Sequence, residues 1–304
     1  MREPLAWHDL VLTTELAERT GYEAAFVPEI AGREAFATLA GLSRATHRIR
    51  LGSGVIPISS RTPDVLAMGA ATVHEMSRGR MILGIGAGSP GPGSLEQLRD
   101  MIGFLRRVFA GAEAELAGGQ TFALSFHPGP EPIRIWVAAL GPKTTRLAGE
   151  IADGVLLNWC PPERVAWART RIREGAEAAG RDPSDITVGV YVRACVGQDH
   201  GVAMAALKEA TSQYAVIEHY RRQLEGAGLE RDAEMAARGP EHVPDRLVRE
   251  LCLIGDAAQA SARLQAYRRA GADLPIVYPV PSLERVSSIN GTVLGLAPSP
   301  AVEA

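Results

Sequence analysis

The chain has 304 residues, 46% hydrophobic and 22% charged, with a formal net charge of −3. That length and balance fit one large α/β domain over 1–304, and the charge leaves no basic footprint for nucleic acid. No apolar run reaches the roughly 18 residues of a membrane span, and Met1 to Leu10 carries Arg2, Glu3, His8 and Asp9, which does not read as a signal peptide. Cys160, Cys195 and Cys252 are far apart and lack metal-ligand spacing, so they read as reduced, buried thiols of a cytoplasmic protein with no metal site.

The first helical pattern, Leu10 to Thr20, stops at Gly21, and a strand pattern follows over 23–27. The same order recurs at Val165 to Ala179, Gly180 and Ile186 to Val192, and at Ala257 to Ala270, Gly271 and Leu274 to Tyr278. Glycine after a helix supplies the left-handed C-cap. Thr62 and Pro63 read as an N-cap and first helical residue, with Val65, Gly69, Val73 and Met76 sharing the face of the helix that follows. Asp256 with Gln259 reads as a capping box. Short continuous apolar runs near 49–55, 81–86, 133–139 and 153–158 suit parallel strands buried on both faces. Alternating units of this kind point to a TIM (β/α)8-type barrel, which needs eight strands where seven are legible. The first strand is absent or atypical, because the chain opens almost directly on a helix. Two long segments, about 111–132 and 211–249, read as insertions that follow strands and so could cover the active face.

After the strand at 81–86, Gly86-x-Gly88-x-x-Gly91 matches the dinucleotide fingerprint letter for letter. The context argues against that reading. The motif is not on the first βα turn, Pro90 and Pro92 remove N–H groups that would face a pyrophosphate, and no acidic strand end follows about 20 residues on. The other reading is a strand end kept slim so that a flat ring can approach Gly86, Ala87 and Gly88.

Several runs together resemble the bacterial luciferase-like superfamily: Arg48-Ile-Arg-Leu-Gly-Ser-Gly-Val-Ile-Pro57, Arg61-Thr-Pro63, Ser77-Arg-Gly-Arg80 and Gly84-Ile-Gly-Ala-Gly88. Trp136-Val-Ala-Ala-Leu-Gly-Pro-Lys143 with Leu147-Ala-Gly-Glu-Ile-Ala-Asp-Gly-Val-Leu-Leu-Asn158 is similar to its coenzyme F420-dependent branch, which includes the methylenetetrahydromethanopterin reductases. The resemblance implies a TIM barrel, usually a homodimer, that carries out hydride chemistry on a small-molecule substrate with F420 or, alternatively, FMN. It implies a non-proline cis peptide at Gly54–Val55 beneath the ring. It also implies cofactor contacts from Ala139, Leu140, Gly141, Pro142, Lys143, Thr144 and Asn158. Independently of family, a helix start bearing Lys143 and Thr144 suits an anion.

The chain departs from the family pattern where Asp-His is common, having Pro28-Glu29-Ile30, and where Arg-His-Pro is common, having Arg61-Thr62-Pro63. Glu29 is the first candidate for proton donor, among polar strand-end residues that include Ser59, Arg61, Asn158 and Tyr191. Three functions remain open at this point. They are an F420-dependent reductase or dehydrogenase, an FMN-dependent monooxygenase, and a degenerate barrel that binds a flavin or other ligand without turnover.

Overall fold

The computed structural model describes residues 5–88 and 91–298. Its strands are β1 (Ala24–Val27), β2 (Arg50–Ser53), β3 (Ile56–Pro57), β4 (Met81–Gly86), β5 (Ala114–Glu115), β6 (Thr121–Phe122), β7 (Arg134–Ala138), β8 (Gly154–Asn158), β9 (Thr187–Val196), β10 (Cys252–Gly255) and β11 (Leu274–Pro279). The main sheet is parallel, in the order β1-β2-β4-β7-β8-β9, with β11 on the far edge of β9. All six residues of β4 are buried, as expected for a strand covered on both faces. Helices surround the curled sheet, and Ile82, Trp136 and Leu156 fill its interior, so the barrel is packed rather than hollow.

Among the described residues no strand joins β1 to β11. An apolar slot of about 190 Å³ lies there instead, walled by Phe26, Tyr191 and Ile276. Helices close the seam from outside: Thr13 Oγ1 donates to Asn290 Oδ1 at 2.8 Å, and Tyr22 Oη donates to the Val293 carbonyl at 2.9 Å.

Helix ends follow the sequence closely. Gly21, Gly180 and Gly271 all have positive φ, and Asp256 with Gln259 forms a complete capping box. Val165, Ala168, Ile172 and Ala176 are buried together, as their spacing predicts. The face predicted for helix Pro63–Met76 is half right: Val73 is buried and Gly69 packs against the Phe36 ring. Val65 and Met76 are exposed, while Leu66, Ala67, Ala70 and Ala71 face the core. Apolar residues lie on the exposed side too, Val65, Met68 and Met76 beside Thr72 and Glu75, so periodicity alone does not select the buried face.

The two long segments lie at opposite ends of the barrel. Residues 111–132 follow helix Ser94–Phe109 and precede β7, which puts them at the N-terminal ends of the strands, away from the active face. There β5 and β6 form a hairpin, Phe122 stacks on Phe104, and the Glu131 carbonyl meets His74 Nε2 at 2.9 Å. Residues 211–249 follow β9 and fold into short helices over the C-terminal ends. β10 then pairs with Arg193–Val196, extending the sheet past the end of β8.

Candidate active site

The site begins with a register slip. Gly52 pairs with Ile82 and Ile56 with Ile85, so three residues on one chain face two on β4. This β-bulge carries the predicted cis peptide at Gly54–Val55. The Ser53 hydroxyl holds it from below, donating to the Gly84 carbonyl at 2.8 Å and accepting from the Gly84 N–H at 2.9 Å. No Cβ fits on Gly54, because the Tyr191 hydroxyl occupies that position.

Above the bulge, at the C-terminal mouth of the barrel, is a cavity of about 220 Å³ with two unlike walls. One is small and uncharged, formed by Gly54, Val55, Ala138 and Leu140. The other carries Asn158, Arg193 and the rings of Tyr191, Tyr214, Tyr220 and Tyr278. Asn158 links elements across this wall: its amide donates to Tyr220 Oη at 3.0 Å and accepts from Arg193 Nη1 at 2.6 Å. Trp159 follows with φ +52°, an outlier for a bulky residue, and stacks on Tyr214. Burial pushes the Tyr191 phenol well above its ordinary pKa, so it stays protonated.

Of the residues predicted to bind the cofactor, Gly54, Val55, Leu140 and Asn158 line the cavity. Gly86 lies behind that wall, where a Cβ would come within 3.0 Å of Val55 Cγ2 and 3.4 Å of Ala138 Cβ. Ala87 and Gly88 continue past β4 without lining the cavity, and Gly88 abuts Ser59 and Pro57. Ser89 and Pro90 of the glycine-rich stretch lie outside the described residues. Ala139 is fully buried beneath the wall. Gly141, Pro142, Lys143 and Thr144 form the cap and first turn of helix Pro142–Ile151, beyond Leu140. The Leu140 carbonyl is fixed by Arg164 Nη2 and Gln223 Nε2, both at 2.8 Å.

Glu29 lines the cavity but is poorly suited to donate a proton. Its carboxylate pairs with Arg61 through both oxygens and accepts from the Ala35 N–H at 2.8 Å, while Arg61 also pairs with Glu34. Burial alone would raise the Glu29 pKa. The Arg61 hydrogen bonds and charge, with the Ala35 N–H, outweigh it and hold the carboxyl below its usual value. The pair therefore stabilises the fold at neutral pH, and the contribution drains away as pH falls through the carboxylate range to the lowered value. Arg61→Gln removes the outweighing partner. The Glu29 pKa, read by carbon-13 NMR of the labelled carboxyl, is expected to rise relative to the wild type. A value unchanged in the variant would refute the pairing.

Tyr214, Tyr220 and Arg193 were not selected from the sequence. Tyr191 and Arg193 are two apart on β9 and so point to one side, and a charge inside an otherwise apolar strand was the available signal. The two insertion tyrosines carried none. Burial pushes the Cys160 and Cys252 thiols up to about 12 and about 11, and all three cysteines are free and buried. Among the described residues no cluster could hold a metal, and no helix is long and apolar enough to cross a membrane.

The family model described as luciferase-like monooxygenase matches residues 2–274. The chain belongs to this luciferase-like family. A Mycobacterium tuberculosis protein assigned as a coenzyme F420-dependent oxidoreductase is 27% identical over 306 residues, 86% of this luciferase-like chain and 88% of the relative. The structure of the F420-dependent tetrahydromethanopterin reductase of Methanopyrus kandleri superposes with a TM-score of 0.78 at 21% identity, over 98% of this chain and 96% of that one. The oxygenating component of a Pseudomonas putida type II Baeyer–Villiger monooxygenase, in complex with FMN, gives 0.71 at 14% identity, over 99% and 95%. Those two likenesses establish the fold, a TIM barrel in which chemistry sits at the C-terminal ends of the strands.

Proposed function

We propose that this luciferase-like oxidoreductase transfers a hydride between coenzyme F420 and a small organic substrate. The observation that carries the reading is the uncharged wall above the bulge. Gly54, Val55, Ala138 and Leu140 present no side chain larger than leucine, and Gly86 behind them is the space that Val55 and Ala138 fill. Such a surface fits one face of a fused ring. Bound there, a deazaflavin supplies a carbon that gives or accepts a hydride. Val55 and Leu140 exclude water from that face, Asn158 fixes the opposite wall, and the helix start at Lys143 and Thr144 suits a phosphate on the cofactor tail. The F420-dependent assignment of the mycobacterial relative favours the deazaflavin. A second reading, reduced FMN with oxygen, draws on the family's description as monooxygenases and on the FMN-bound neighbour. The same reading makes the protein a cytoplasmic homodimer, for which the exposed row Val65, Met68 and Met76 offers an apolar face.

Titrating the protein with F420 and, separately, FMN tests the choice through cofactor fluorescence. The expected result is saturable F420 binding with FMN weaker by at least about tenfold, and loss of F420 binding in Ala138→Leu, which fills the cavity. Tighter FMN binding would replace this reading with the second. Unchanged F420 binding in Ala138→Leu would place the cofactor elsewhere.

A further inference from the structure

Arg193 is 2% exposed and lines the cavity, and among the described residues no carboxylate pairs with it. Among the described residues its hydrogen bond is the one from Nη1 to Asn158, and Nε is buried without a partner. Its charge rests over the Tyr214 ring at 4.1 Å and the Tyr278 ring at 5.4 Å. Among the described residues the one acid on the cavity wall, Glu29, is committed to Arg61. A buried cation with neither counter-ion nor full solvation is costly unless something neutralises it. Cation–π contact offsets part of that cost. It does not supply the missing negative charge.

We propose that Arg193, with the Tyr191 hydroxyl beside it on β9, forms an anion subsite that selects an organic carboxylate as the substrate of this enzyme. The inference rests on the proposed function in one respect: the uncharged wall is given to the cofactor ring, which leaves the Arg193 wall to the substrate. Charge and shape agree on the substrate class. The guanidinium matches a carboxylate in geometry and sign. The four tyrosine rings that line the same cavity favour a flat, unsaturated or aromatic acid over a bulky aliphatic one. The Tyr191 hydroxyl is buried without a partner, so it has a hydrogen bond to offer.

The test uses the cofactor-free full chain and a matched pair of probes, benzoate and benzamide, which share a shape and differ in charge. Calorimetric titration is expected to show benzoate binding at least about tenfold more tightly than benzamide to the wild type. The preference is expected to vanish in Arg193→Met and to survive in part in Arg193→Lys. Removing an unneutralised buried charge is also expected to leave the melting temperature of Arg193→Met equal to or above that of the wild type. If that variant does not fold, the wild-type preference and its partial survival in Arg193→Lys carry the test. Equal binding of the two probes to the wild type, or a benzoate preference that persists in Arg193→Met, would overturn the subsite. So would loss of F420 affinity in Arg193→Met without any benzoate preference in the wild type, which would give Arg193 to the cofactor. Because benzoate binding is measured without cofactor, a failure of the F420 titration leaves this result intact, and the converse also holds.

Discussion

Replacing Gly84 by alanine is expected to cost about 1–3 kcal/mol of stability and to remove cofactor binding at temperatures where the variant is still folded. The new methyl would lie inside van der Waals contact of the Ser53 carbonyl oxygen. That atom is backbone, and it belongs to the chain that forms the bulge, so no rotamer change relieves the clash. Ser53 is held there by its hydroxyl, which bonds both the N–H and the carbonyl of Gly84. The methyl therefore forces β4 and the bulge apart, and the Gly54–Val55 wall of the cavity moves with them. Chemical denaturation and an F420 titration on the same sample separate the two effects. Wild-type affinity in a destabilised Gly84→Ala would show that cofactor binding does not depend on the bulge.

The largest effect on stability alone is expected at Arg80. Its guanidinium makes five hydrogen bonds: to the Ser77 carbonyl at 2.7 Å, the Thr46 hydroxyl at 3.0 Å, and the carbonyls of Ile49 at 2.6 Å, Ser43 at 3.2 Å and Thr46 at 2.9 Å. The same loop is held from its other side by Glu18, whose Oε1 accepts from the N–H groups of His47, Arg48 and Ile49 at 2.8, 2.6 and 2.9 Å. One cation thus collects the carbonyls and one carboxylate the amides of the turn leading into β2. Arg80→Met leaves those acceptors unsatisfied and is expected to cost at least about 3 kcal/mol. F420 affinity, measured well below the melting temperature, is expected to stay within about a factor of two, because distant sites act independently. Burial would raise the Glu18 pKa, but the three backbone N–H groups and the Arg80 charge hold it below 4.5. Its stabilisation is therefore present above the ordinary carboxylate value and is lost as pH falls through the lowered one. Glu18→Gln is expected to flatten that acid limb. An acid limb as steep as the wild type's would mean the carboxylate contributes no charge-dependent stability.

Most of the strand layout was legible because parallel strands buried on both faces leave unbroken apolar runs. β4 was expected at 81–86 and is found there, and the runs ending at Ala138 and Asn158 also match within a residue. β3 and β10 were missed. They are two and four residues long, too short for any periodicity, and exist because neighbouring strands offer them an edge. The Ser77-Arg-Gly-Arg80 run was noticed only as part of a resemblance. Its physical reason, a side chain gathering carbonyls from residues 43–49, spans more than thirty positions and needs the fold to be seen. The uncharged wall was legible at Gly54, Val55 and Leu140, where glycine or a strand end marks close approach. The opposite wall was legible only at Asn158 and Tyr191. Tyr214 and Tyr220 come from an insertion whose helices carry no local cue to what they cover, and what surrounds Arg193 is visible only in the fold. Glu29 was chosen by residue type, and the Arg61 pair that keeps it ionised comes from 32 positions away.

The most direct measurement is a crystal structure of the protein with coenzyme F420 bound. The expected result is the deazaflavin ring against Val55, Ala138 and Leu140, with the Arg193 and tyrosine wall facing it across the space left for substrate. A ring found instead in the seam between β1 and β11, or on the stretch that follows Gly86, would contradict the assignment of the cavity and the hydride chemistry placed there.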